Sequence, residues 1–206
     1  MSGNAGYYIL NKDKLSVDNV FKDMPVHMSV ALSLEYNRGR MMKGVAMDKR
    51  DVRMVDLAPM WVISVLGFGS EPEIQAWDKI FNFIKENGLE AQSERNRFFG
   101  FNNPSPAAGS PNYGYEQWMS LDEPVETGGD VRCLEIPGGL YAVMGCRGVE
   151  AIPATWMQLV EWLEDSPYQP GGHQCLEEVL NPQVFNQPEK QLDQAEFDLY
   201  LPVIKL

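Results

Sequence analysis

The chain has 206 residues, 44% of them apolar, and 17 Lys and Arg against 29 Asp and Glu give a net charge of −12. That length and apolar share fit one folded domain or two small halves, and they exclude a disordered or fibrous chain. Residues 1–50 hold 8 basic and 5 acidic side chains and residues 51–206 hold 9 and 24, so the body carries a field that repels DNA, RNA and anionic lipid.

Taken in chain order, residues 1–50 form an N-terminal extension of unclear role. Residues 11–23 and 28–47 show partial helical periodicity, but no turn between two helices identifies a DNA-binding motif. Arg38, Arg40, Lys43, Lys49 and Arg50 read as a solvated helix face, and no nucleic-acid partner is expected. The polar start predicts no secretory leader, and the longest apolar runs, near residues 60–67 and 140–145, fall short of the ~20 residues of a membrane span. Three cysteines make no disulfide framework, so a cytoplasmic setting is expected.

From residue 51 onward the chain repeats itself. Residues 52–69 align without a gap on residues 131–148, with Val52, Arg53 and Gly69 identical to Val131, Arg132 and Gly148. The same frame pairs Trp77 with Trp156, then Asn103-Pro104 with Asn181-Pro182, then residues 115–121 with 197–203. The first unit, residues 51–121, opens with a hairpin around Ala58-Pro59. A helix follows whose stripe is Ile74, Trp77, Ile80, Phe81 and Ile84, and strands over 97–102 and 113–121 close the unit. The second unit, residues 131–204, has a hairpin around residues 137–139 and a helix with Ile152, Trp156, Leu159, Val160 and Leu163 inward. Its closing strands run over 174–181 and 196–204. Two tandem β–α–β–β repeats with pseudo-twofold symmetry predict an α+β fold, one antiparallel sheet with two helices on one face.

Strand alternation then divides the residues between the sheet's two faces. Phe197, Leu199, Leu201 and Val203 are expected under the helices, leaving Asp198 and Tyr200 on the open face, with Glu116 and Trp118 as their copy-one counterparts. On β-strand 174–181, Leu176 and Leu180 are expected toward the helices, and Glu177 toward the open face in the position that Phe99 fills in copy one. The expected ligand cleft therefore lies on the open face and combines Glu177 and Glu116 with Trp118, Tyr200 and Phe99, rimmed by Trp61 and Tyr141. Aromatic walls with a few carboxylates suit flat apolar or cationic ligands.

The runs Phe99-Gly-Phe-Asn-Asn-Pro104, Tyr113-Gly-Tyr-Glu-Gln-Trp-Met119, Pro137-Gly-Gly-Leu-Tyr-Ala-Val143 and Phe197-Asp-Leu-Tyr-Leu-Pro-Val203 resemble the GyrI-like small-molecule-binding proteins, also called bacterial transcription-activator effector-binding domains. The resemblance spans residues 51–206 and implies a central cleft for varied, often aromatic and cationic, compounds. It also implies a central acidic residue in the third strand of the second copy, which Glu177 matches with Glu178 one residue away. Some stand-alone members of that family resemble hydrolases of cyclopropane-bearing toxins.

Two functions are therefore expected to compete. The first is a drug-binding or effector-sensing module for a hydrophobic aromatic, neutral or cationic small molecule, working as a monomer or homodimer. The second is a hydrolase in which Glu177 activates water while Tyr200 or Tyr115 hydrogen-bonds the carbonyl that gains charge. No cofactor is expected. His173, Cys175, Cys133 and Cys146 fit no usual zinc spacing, and His27 and His173 are the only histidines available to a nucleophilic system.

Overall fold

Alternating runs of Val, Ile, Leu, Phe, Tyr and Trp build the strands, and the stretches with 3–4 periodicity build the helices. A computed structural model describes residues 52–89, 95–187 and 191–205, so the helical segments and basic face expected in residues 1–50 lie outside the described residues. The strands are β1 (Arg53–Leu57), β2 (Met60–Gly69), β3 (Phe98–Asn102), β4 (Tyr113–Leu121), β5 (Arg132–Ile136), β6 (Gly139–Arg147), β7 (Tyr168–Pro170), β8 (Leu176–Val179) and β9 (Glu196–Lys205). The short β7 was not expected from sequence. Among the described residues the α-helices are α1 (Pro72–Glu86) and α2 (Ile152–Glu164), and each carries a proline in the first turn, where its missing N–H costs no helical hydrogen bond. Among the described residues no helix is long and apolar enough to cross a membrane.

The sheet is antiparallel and curls into a half-barrel, in the order β1-β6-β9-β8-β3-β4-β2-β5, with β7 on the end of β9. The two expected hairpins do not form. Strand β1 pairs with β6 (Arg53 opposite Val143) and β5 pairs with β2 (Ser64 opposite Arg132), so each unit lends its first strand to the other. Pro59 has no N–H and a fixed φ, which suits a crossing connection better than a tight hairpin turn. The two connections pass so closely that a Cβ on Gly138 would strike the Leu57 carbonyl and the Pro59 ring. The central pair is β3 with β8, where Gly100 faces Glu177 across the ladder.

Each face of the sheet carries its own apolar cluster. On the helix side α1 buries Ala76, Trp77, Ile80, Phe83 and Ile84, and α2 buries Trp156, Leu159, Val160 and Leu163. They meet Ile63, Val65, Tyr115, Phe197, Leu199 and Leu201 of the strands. Ile74 departs from the expected stripe and stays 43% exposed at the start of α1. Inside the curl, Leu57, Val62, Phe99, Phe101, Trp118, Tyr141, Leu176 and Tyr200 form a second cluster. The face expected to be open is thus a second interior.

Candidate functional site

A cavity of about 420 Å³ opens between the first turns of the two helices on the helix side of the sheet. Ser70, Glu71, Glu73 and Ile74 border it around the start of α1, and Val149, Glu150, Ile152 and Pro153 around the start of α2. The strands contribute Asn102, Tyr115, Glu177, Val179 and Phe197. Trp77 forms part of the wall and lies nearly parallel to Phe185, with ring centroids 4.6 Å apart. Among the described residues lining the cavity there is no Lys, Arg or His, whereas Glu71, Glu73, Glu150 and Glu177 are all present.

Glu177 stands on β8 at the centre of the sheet. Trp156 Nε1 donates to one carboxylate oxygen at 3.2 Å, and the Tyr115 hydroxyl donates to the other at 3.2 Å. Enclosure by protein pushes the carboxyl up from 4.5 to about 7, the nearby Glu73 charge adds to the rise, and the two hydrogen bonds oppose it. Burial drives the Tyr115 phenol well above its ordinary value, reinforced by the Glu177 and Glu73 charges, so it remains a donor. Two residues along the same face of β4, the Tyr113 hydroxyl donates to Glu73 Oε1 at 2.6 Å. Asn102 also lines the cleft, and its side-chain oxygen is sealed from solvent without a hydrogen-bond partner among the described residues, which costs free energy.

The sequence-predicted residues separate onto the two faces. Glu177 and Tyr115 meet at the cleft, but Glu177 is on the helix side, opposite to expectation. The half-barrel interior gives Leu176 apolar neighbours in Phe99 and Tyr200, so Leu176 turns inward there and Glu177 turns toward the helices. The ladder also corrects the counterpart of Glu177. Phe99 is opposite Trp118 and Leu176 is opposite Tyr200, which matches Leu176 to Phe99 and Glu177 to Gly100.

Glu116, Trp118, Tyr200, Tyr141 and Phe99 lie on the inner face, away from the cavity, and all are buried. Glu116 accepts from Ser64 at 2.6 Å, Asn103 at 2.7 Å, and Trp118 and Arg132 at 2.8 Å. Glu178 holds Arg97 through two hydrogen bonds of 2.6 and 2.8 Å and accepts from the Tyr200 hydroxyl at 2.6 Å. Arg53 binds Asp198. These carboxylates are fully engaged inside the protein, which explains their burial without a ligand. Trp61 packs on the helix-side cluster but does not border the cavity.

Glu73, Tyr113, Asn102, Trp77 and Phe185 join the site without having been expected there. Their one sequence signal is Tyr113-Gly-Tyr115, whose period of two puts both phenols on a single face.

A family model described as Cass2, integron-associated effector binding protein, matches residues 53–203. The chain belongs to this family. A structure of the EcmrR–DNA complex aligns with a TM-score of 0.56 at 11% identity, covering 92% of this chain and 69% of that one. The EcmrR C-terminal domain aligns at 0.54 with 12% identity, over 75% of this chain and 98% of the other. A hydrolase from Listeria innocua aligns at 0.52 with 14% identity, over 82% and 98%. At such identities these structures share the Cass2 fold and carry no further inference. No curated protein matches the chain.

Proposed function

We propose that this Cass2-family chain binds bulky aromatic molecules, neutral or cationic, in the cleft between α1 and α2, with Glu177 as the anionic contact. One observation carries the reading: a carboxylate lining the cavity has, among the described residues, only neutral donors, Trp156 and Tyr115, as partners. An ionised carboxylate in such a place is costly, and a bound cation offsets that cost directly. The aromatic wall of Trp77 and Phe185 supplies apolar area and π faces for the body of the ligand. Membership of an effector-binding family supports the same reading. In this reading residues 51–206 are one binding domain built by internal duplication, residues 1–50 are an appendage, and the protein works in the cytoplasm as a monomer or homodimer. Fluorescence titration with cationic rhodamine 6G and anionic fluorescein tests it. Tighter binding of rhodamine 6G that weakens in Glu177→Gln is expected, and equal or tighter binding of fluorescein would refute the reading.

A second reading rests on a different observation, the carboxyl near 7 with a phenol on its other oxygen. A glutamate so poised serves as a general base toward water at neutral pH, and Tyr115 can donate to a carbonyl that gains charge. Tyr200 has no part in this reading, because its hydroxyl is committed to Glu178 on the opposite face. Mass spectrometry of a cyclopropane-bearing alkylator incubated with the protein should then show the water-opened product. An unchanged alkylator would remove the hydrolase reading and leave the binding one.

A further inference from the structure

Tyr113 and Tyr115 point to one face of β4 two residues apart, and each holds a carboxylate on the same cavity. Tyr113 donates to Glu73 at 2.6 Å and Tyr115 donates to Glu177 at 3.2 Å. Strand geometry places the two Cα atoms about 7 Å apart on that face, and because each phenol holds a different carboxylate the cleft presents two anchored anionic positions rather than one. They feel each other, since the Glu73 charge raises the Glu177 carboxyl. Like charges facing one apolar cavity without a counterion disfavour the empty, doubly ionised state. No basic side chain among the described lining residues neutralises either carboxylate.

We infer that the cleft selects dicationic aromatic ligands over monocationic ones, with one positive centre at Glu177 and the second at Glu73. Hydrogen bonding to Tyr113 restrains Glu73 at the start of α1, which makes it a specificity-determining residue rather than a mobile surface carboxylate. This inference rests on the cleft being the binding site, and it adds the charge and spacing of the ligand.

Ethidium and propidium form the test pair, because they share a phenanthridinium body and propidium carries a second cationic centre on a propyl arm. Both are titrated by fluorescence against nucleic-acid-free protein, in wild type, Glu73→Gln, Glu177→Gln and Glu161→Gln. Glu161 is exposed on α2 and does not border the cavity, so its change controls for loss of net charge alone. Propidium should bind wild type about ten-fold or more tightly than ethidium, the scale of one added charged contact. Glu73→Gln should erase that advantage by weakening propidium far more than it changes ethidium, and Glu161→Gln should preserve it. Equal binding of the two dyes to wild type would overturn the inference, as would an advantage that Glu161→Gln erases equally well. Ethidium binding that depends on Glu177 with no gain for propidium would sink the dication inference and spare the binding site. Binding of neither dye would sink both.

Discussion

The hydroxyl end of Tyr115 fills the space that a Cβ on Gly100 would occupy, and from there it reaches Glu177. Gly100 is opposite Glu177 in the central ladder, so the phenol lies across the two middle strands. Gly100→Ala should therefore displace the Tyr115 ring and cost about 1–3 kcal/mol, the range for overpacking a filled interior. Denaturant unfolding of Gly100→Ala in wild-type and Tyr115→Ala backgrounds checks this. The penalty should shrink sharply in the second background, and an equal penalty in both would remove the contact as its cause.

Stability should depend on pH through Glu177 with a definite sign. Its carboxyl moves from 4.5 to about 7 on folding, so the folded chain keeps a proton that the unfolded chain releases. Stability from this group is complete below about 4.5, falls as pH rises toward 7, and levels off above. Glu177→Gln lacks this slope and should gain roughly 1–3 kcal/mol over wild type between pH 5 and pH 8, with water in the cleft screening part of the effect. Melting curves of both proteins across that range measure the difference.

Cation binding should be linked to the same proton. A cation stabilises ionised Glu177, so its binding expels the proton wherever the free protein holds one. Rhodamine 6G affinity should rise by up to about ten-fold per pH unit below about 7 and flatten above it. Titrations at a series of pH values test this, with Glu177→Gln expected to be flat throughout.

Substitutions inside the half-barrel should separate stability from binding. Glu116 anchors four donors, and Glu116→Ala should cost about 2–4 kcal/mol by stranding Ser64 and Trp118, while the half-exposed Arg132 turns to water. Tyr200→Phe removes the hydrogen bond donated to Glu178 and the one accepted from Arg97, and should cost about 1–3 kcal/mol. Both should bind cationic dyes as wild type does under conditions where they remain folded. A Tyr200→Phe protein that is fully folded but fails to bind would move the site to the inner face.

The helices were legible because their burial follows the 3.6-residue period, and the stripe of Ile152, Trp156, Leu159, Val160 and Leu163 is buried throughout. The faces of β9 were legible from a period of two, which puts Phe197, Leu199, Leu201 and Val203 in the helix-side cluster and Tyr200 in the inner one, although Phe197 to Val203 are all buried. Alternation says which residues share a face but not what covers that face. Glu116, Trp118 and Tyr200 were correctly grouped apart from the helices, yet the curl of the sheet encloses them. On β8 the clue itself misled, because either face accepts a leucine and only the three-dimensional curl decides which. The exchange of β1 and β5 has no local signature beyond Pro59 and Gly138, and Gly138 is equally at home in a hairpin turn.

That exchange also orders events in time. Strand β1 leaves the ribosome first, but its ladder partner β6 begins at Gly139, after α1, β3, β4 and β5 have been made. The first half of the chain therefore cannot complete its sheet until both β5 and β6 have been made, because the outer edge of β2 waits for β5 as well. Closing both ladders requires contacts between segments far apart in sequence, which slows folding relative to local hairpins. The crossing at Leu57 and Gly138 then acts as a clasp, since neither half can leave without stripping a strand from the other. The cleft inherits this: its two walls come from different halves, and their spacing is set by a joint that neither half makes alone.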